Sequence, residues 1–243
     1  LPLVVLVDEY DKPLLETEGT EQNESNRELY KAFFSVIKDQ DEFIKFVFFT
    51  GVTKYSKVSI FSDLNQLKDI SLLKKYSSIC GITEDEMKAV FEPEIHGMAD
   101  ELHISINDCL KELRMRYDGY HFSENSEGVY NPFSLLNAFF DKEFGDYWFE
   151  SGTPTFLVKK LTDSSVSLNS LINGISCDSY EMRDYRMDDP DPVPLFYQSG
   201  YLTIKSYDRR FDSYELGFPN EEVKYGFLKS LVPYVFGSSG RRN

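Results

Sequence analysis

Two short apolar runs constrain most strongly what the front of this chain can fold into. LVVLV, residues 3 to 7, breaks abruptly into Asp8, Glu9 and Asp11, and the second run, FIKFVFFTG from Phe43, ends in Thr50 and Gly51. Each is too short for a buried helix and rich in β-branched or aromatic residues, which is the pattern of a parallel strand covered on both faces. Between them Asn26 is placed to cap a helix through about Lys38, with Leu29, Phe33, Phe34 and Ile37 on one apolar stripe. Strand, helix, strand at this spacing predicts a βαβ unit, and open parallel sheets bind ligands where their strands end.

The residues at those strand ends therefore carry the chemistry. A buried strand that delivers two adjacent carboxylates is how phosphoryl-transfer ATPases hold magnesium and prime water. On that pattern Asp8 orients Mg2+ through its water shell, and Glu9 polarises the attacking water as a general base. Thr50, at the tip of the next strand, stands where such enzymes contact the γ-phosphate or that water. The plainer reading is a strand that leaves the core into a solvated turn, with a threonine closing the turn before Gly51. A third, a metal-dependent hydrolase using Asp8, Glu9 and Asp11 directly, is disfavoured because strand alternation points Asp8 and Glu9 to opposite faces.

A phosphate cradle of the form G-x-x-x-x-G-K-[ST] is missing from the sequence. The nearest stretch, GVTKYSKV, lacks the second glycine before Lys57 and the hydroxyl residue after it. Residue 1 is Leu, inside the first strand-like run, and the first Met is Met87, so the chain is expected to be a fragment truncated upstream of Asp8. Loss of the preceding strand would leave apolar strand edges and faces uncovered.

Further along, a short helix is expected between Ser59 and Leu67. Thr83 followed by Glu86 forms a capping box that announces a helix through about Phe91, before Pro93. Leu102, Ile106, Leu110 and Leu113 predict one helix over 100–117, stopped by Gly119. Asn131-Pro132 and Thr153-Pro154 each read as an N-cap followed by proline at the first helical position. The tail, PVPLFYQSG, then YLTIKSYD and SYELGFP around the turn RRFDS, then NEEVKYGFLKSLVPYVF, predicts helix, hairpin, helix, a winged-helix-like order. RMDDPDPVP is the best linker candidate.

Composition excludes several classes. A net charge of −15 argues against a broad basic face for duplex DNA or anionic membrane. Cys80, Cys109 and Cys177 are odd in number and in no CxxC arrangement, which suggests neither a disulfide framework nor zinc and fits a cytoplasmic setting. His96 and His103 lack a third ligand type, and prolines interrupt the aspartates from Asp184 to Asp191, so neither group reads as a metal site. Tyr117, Tyr120, Phe122 and Tyr130 read as core packing around a glycine turn, and Arg209 and Arg210 on the hairpin turn are diluted by Asp208 and Asp212.

The segments VVLVDEYDKPLL, KFVFFTGVTKYSKVSIFSDLNQLKDISL, RYDGYHF, VYNPFSLLNAF, YWFESGTPTFLVKKL, LFYQSGYLTIKSYD and LGFPNEEV together resemble the bacterial AAA-ATPase-like proteins, which often end in a PD-(D/E)XK nuclease-like domain. The resemblance runs over nearly the whole chain. It implies a P-loop ATPase core, a helical middle and a winged-helix-like tail, with Asp8 and Glu9 matching the Walker B acids and Thr50 the sensor position. Asp11, Lys12, Lys54 and Lys57 match recurrent positions without assigned chemistry. In RYDGYHF the family more often has Asn and Arg where this chain has Asp118 and His121. The nuclease-like domain is not recognisable here, so no nuclease activity is expected.

The expected architecture is therefore α/β: a partial P-loop NTPase (AAA-like) parallel sheet over 1–82, a helical region over 83–177, and a winged-helix-like module over 178–243. The expected function is that of an AAA-like ATPase fragment whose intact form hydrolyses ATP with Mg2+ to drive conformational change. Its catalytic residues are Glu9 and Thr50, its nucleotide contacts Asp8 and Thr50, and its metal residue Asp8. The fragment itself is expected to be inactive for want of the P-loop. The alternative is a noncatalytic interaction or regulatory module on a truncated or degenerate ATPase fold. Expected partners are nucleotide and a protein or second copy of the chain, with neither nucleic acid nor membrane.

Overall fold

The computed structural model describes residues 2–17, 19–52, 67–150, 155–183 and 191–237. Lys54, Lys57, the 59–67 helix except its last residue, Thr153-Pro154, residues 186–190 of the linker and the C-terminal SSGRRN lie outside them. The chain divides into two compact units, 1–69 with 178–199, and 70–177 with 200–243.

The first unit opens with strand β1 (Leu3–Val7), a short helix α1 (Lys12–Leu15), helix α2 (Glu21–Asp39) and strand β2 (Ile44–Phe49). β1 and β2 pair in parallel, Val4 opposite Phe46 and Val7 opposite Phe49, so their carboxyl ends lie side by side. Leu14, Phe34 and Ile37 form a small core with Tyr30, Val47 and Phe49 against it, and the Phe34 and Phe49 ring centroids are 5.2 Å apart.

α2 begins six residues earlier than Asn26 predicts, after the N-cap position at Thr20. Glu21 and Glu24 in the first turn favour that start by facing the positive end of the helix dipole. Asn26 is a brace instead of a cap: its side-chain amide donates to the Pro13 carbonyl and the Thr17 hydroxyl, both at 3.2 Å. The predicted stripe also splits, Phe34 and Ile37 inward and Leu29 and Phe33 exposed. A pair of parallel strands with one packed helix covers one face, and Leu3, Val4, Leu6 and Phe46 are all more than half exposed.

The second unit is mostly helical. β3 (Ile82–Thr83) leads into α3 (Glu84–Val90), followed by α4 (Glu92–Glu101) and α5 (Ile106–Tyr117). The capping box is present, with the Thr83 hydroxyl accepting from the Glu86 N–H at 3.2 Å and the Glu86 carboxylate accepting from the Thr83 N–H at 2.9 Å. The single helix expected over 100–117 is two helices. His103 takes a left-handed backbone (φ 54°) and Ser105 caps α5 by accepting from the Asp108 N–H at 3.1 Å. α3 ends before Pro93 as expected, with Phe91 as its C-cap, and Pro93 itself sits in the first turn of α4, where its missing N–H is harmless.

β4 (Val129–Tyr130) pairs antiparallel with β3, and α6 (Pro132–Asp141) starts under the Asn131 cap, whose Oδ1 accepts from the Phe133 N–H at 2.9 Å. Short helices α7 (Tyr147–Glu150), α8 (Thr155–Asp163) and α9 (Leu168–Asn173) lead to strand β5 (Ile175–Asp178). Helices α10 (Ser179–Arg183) and α11 (Val193–Gln198) fall in the first unit, and the second resumes with hairpin β6 (Thr203–Asp208) and β7 (Ser213–Gly217), then α12 (Glu221–Gly237). The hairpin matches the sequence expectation. β5, unanticipated, completes a three-stranded sheet in the order β5-β7-β6.

The core of this unit joins Met87, Met98, Cys109, Leu113, Tyr117, Tyr130 and Leu135. Gly119 ends α5 at φ 99°, and a Cβ there would stand 2.3 Å from the Pro219 carbonyl oxygen. Tyr117, Tyr120 and Tyr130 are all buried.

Candidate functional site at the carboxyl ends of the parallel strands

Parallel pairing with Val7 opposite Phe49 puts the residue after each strand at the same end of the sheet. The Thr50 N–H donates to the Val7 carbonyl at 2.9 Å, and the Tyr10 N–H donates back to the Thr50 carbonyl at 3.0 Å, which carries the ladder past both strands. The consequence is direct: the Thr50 hydroxyl donates a hydrogen bond to Asp8 Oδ1, across 42 positions of sequence. The same carboxylate oxygen accepts from the Glu9 N–H at 3.0 Å.

Glu9 follows a different course. It adopts a left-handed backbone, φ 49°, so strand alternation no longer decides where its side chain goes. The carboxylate turns to Lys12, whose Nζ lies 3.0 Å from Oε2. That hydrogen bond and the Glu9 charge raise the Lys12 pKa above its ordinary value. Both side chains are more than half exposed, so the pair contributes little to stability and is readily rearranged. The structure thus brings Asp8 and Thr50 together and holds Glu9 beside them in the chain with its carboxylate on a neighbouring lysine.

Asp11, which sequence reasoning left without a role, is fully buried. Its backbone carbonyl accepts from the Leu14 and Leu15 N–H groups at 3.0 Å and so starts α1, while its Oδ1 accepts from the Val52 N–H at 3.1 Å.

An ion held here would meet oxygen donors only, the Asp8 carboxylate and the Thr50 hydroxyl, which suit a hard cation. Among the described residues no three His, Cys, Asp or Glu side chains gather as a metal cage. That donor set fits Mg2+, which keeps several waters and takes one or two carboxylates plus substrate phosphates. It does not fit an ion that needs an all-protein shell.

In the second unit, the segment that departs from the expected Asn and Arg is a structural turn. The His121 N–H donates to the Thr203 hydroxyl at 2.6 Å and its Nδ1 lies 2.9 Å from the Ser126 carbonyl oxygen. Burial raises the Asp118 pKa against the opposing Gly119 N–H, and burial lowers that of Lys205. Sequence reasoning also missed Glu222. Only 1% exposed, it accepts from the Ser134 hydroxyl and the Trp148 N–H, both at 2.7 Å, tying α12 to α6 and α7. Its partners lie 88 and 74 residues away, out of reach of any local pattern.

None of the helices among the described residues is long and apolar enough to cross a membrane. No solved structure matches the chain. A curated relative from Azotobacter chroococcum mcd 1, the "Uncharacterized protein in vnfD 5'region", is 41% identical over 235 residues, 95% of this chain but 43% of the relative. The chain thus spans less than half the length of that relative. Residues 1–61 match the family model AAA-ATPase_like, described as "Predicted AAA-ATPase". The segment that holds Asp8, Glu9 and Thr50 is therefore the one whose match supports an AAA-ATPase-like family.

Proposed function

We propose that the ends of β1 and β2 form the metal and water side of a nucleotide triphosphate site in an AAA-like ATPase. The observation that carries this reading is the Thr50–Asp8 hydrogen bond at the shared carboxyl end of two parallel strands, where open α/β sheets bind their ligands. Asp8 would hold Mg2+, with the Thr50 hydroxyl beside its carboxylate. When bound, the ion neutralises charge that develops on the transferred phosphoryl oxygens. Glu9 leaves Lys12 and accepts the proton of the attacking water, and Thr50 reports whether a γ-phosphate is present.

The phosphate cradle comes from sequence outside these 243 residues. Support for this is the missing P-loop motif and a relative more than twice as long as the matched region. Nucleotide state then acts on the helical region and on the helix, hairpin, helix order of 193–237, which serves as a winged-helix-like module. The test is phosphate release by the protein at its natural length. Glu9→Gln should lower turnover by about a hundredfold or more while leaving nucleotide bound. Equal turnover in the two proteins rules the role out.

One observation favours the noncatalytic alternative: the Glu9 carboxylate is already paired with Lys12. On that reading natural-length protein releases no phosphate above the Glu9→Gln background, and the exposed apolar residues of β1 and α2 serve a protein partner.

A further inference from the structure

Asp11 combines features that a solvated turn does not need. Its side chain is wholly buried although it carries a carboxylate, and burying such a group is unfavourable unless hydrogen bonds satisfy it. The Val52 N–H that meets it comes from the exit of the other strand, 41 residues away. Asp11 stands three residues after Asp8, and Val52 stands two after Thr50. The carboxylate-to-amide bond therefore runs alongside the Thr50–Asp8 bond, one step further from the sheet.

Two neighbours show how tightly the arrangement is built. A Cβ on Gly51 would stand 2.6 Å from Asp11 Oδ1 and 2.7 Å from the Tyr10 ring, so only glycine lets the β2 exit pass this close. The left-handed turn at Glu9 brings the chain back so that the Tyr10 N–H reaches the Thr50 carbonyl. On the α2 side, burial first and the Asp11 charge second push up the pKa of Tyr30, which places that phenol within electrostatic reach of Asp11.

We infer that Asp11 is the positioning residue of the strand-end site: its buried carboxylate clamps the β2 exit through Val52 and so holds the Thr50 hydroxyl against Asp8. The relevance to catalysis rests on the function proposed above; the positioning itself does not. Asp11 touches no reacting atom in this scheme. It sets where Thr50 stands when phosphate arrives.

The experiment uses the labelled protein at its natural length without nucleotide, reading amide exchange at Val52 and the Thr50 side-chain rotamer from three-bond couplings. Asp11→Ala should speed Val52 exchange by about tenfold or more, the scale of one lost hydrogen bond to a charged acceptor, and should average the Thr50 rotamer. Asp11→Asn retains an acceptor oxygen and should keep Thr50 in one rotamer. Gly51→Ala, which drives a methyl into the carboxylate without altering it, should behave like Asp11→Ala. The inference is overturned if Thr50 keeps a single rotamer in folded Asp11→Ala. It is equally overturned if Asp11→Ala and Asp11→Asn loosen the whole β1–β2 ladder together, since that would mark a general scaffold residue. Should Asp11→Ala not fold, Asp11→Asn and Gly51→Ala decide the matter by the same readouts. Because no nucleotide is present, a failure of the ATPase reading would show in turnover and not here.

Discussion

Glu222 offers the sharpest quantitative test of the packing. Burial raises its pKa, the Ser134 and Trp148 hydrogen bonds oppose the rise, nearby Asp146 adds to it, and the result is about 6 against an ordinary 4.5. Below pH 4.5 the carboxyl is neutral in folded and unfolded chains alike. Above about pH 6 it is ionised in both, and only the folded state bears the desolvation cost. A shift of that size corresponds to about 2 kcal/mol, taken from stability as pH rises through the interval. Glu222→Gln removes the charge while its amide still accepts from Trp148 and donates to the Ser134 oxygen.

The difference in unfolding free energy between Glu222→Gln and the unmodified protein should therefore move by about 2 kcal/mol in favour of the variant between roughly pH 4 and pH 8. That is on the order of 1 M in urea midpoint. Trp148 is the sole tryptophan and its backbone N–H donates to Glu222, so its fluorescence follows unfolding from beside the contact. A difference that is flat with pH, or that moves against the variant as pH rises, refutes the reasoning.

Other consequences follow from single contacts. Gly119→Ala should lose about 3 kcal/mol or more in urea unfolding, because it combines left-handed strain with a Cβ 2.3 Å from the Pro219 oxygen. Thr83→Ala should lose about 1 kcal/mol by removing one half of the capping box that starts α3. Tyr130→Phe removes the 2.5 Å hydrogen bond to Glu84. Burial pushes the Glu84 pKa up, but Lys88, Tyr130 and Arg114 outweigh it and hold the group below its ordinary value. The stability this gives is present above the unfolded value of 4.5 and fades as pH falls through the folded one. The variant should accordingly be weaker by about 1 kcal/mol at neutral pH, with the gap narrowing in acid.

What the sequence disclosed was what short-range chemistry decides. The Thr83–Glu86 box, the Asn131-Pro132 start and the 3–7 strand each depend on neighbours within a few residues, and each stands where expected. Errors arose where one residue type has two uses. Asn26 resembles a cap but braces α1. The roles of Asp11 and Glu222 depend on partners 41 and 74 to 88 residues distant, and nothing in their local sequence marks either as buried. The candidate site was legible because strand, helix, strand connectivity itself brings the residue after each strand to one edge. The turn of Glu9 toward Lys12 was not, since it depends on one left-handed residue.

The most direct test of the central proposal is calorimetric binding of a nonhydrolysable ATP analogue to natural-length protein, with and without Mg2+, for the unmodified chain and Asp8→Asn. The proposal predicts that Mg2+ strengthens binding to the unmodified protein and that Asp8→Asn abolishes most of that enhancement while leaving metal-free binding in place. Equal enhancement by Mg2+ in both proteins, or no binding by either, contradicts it.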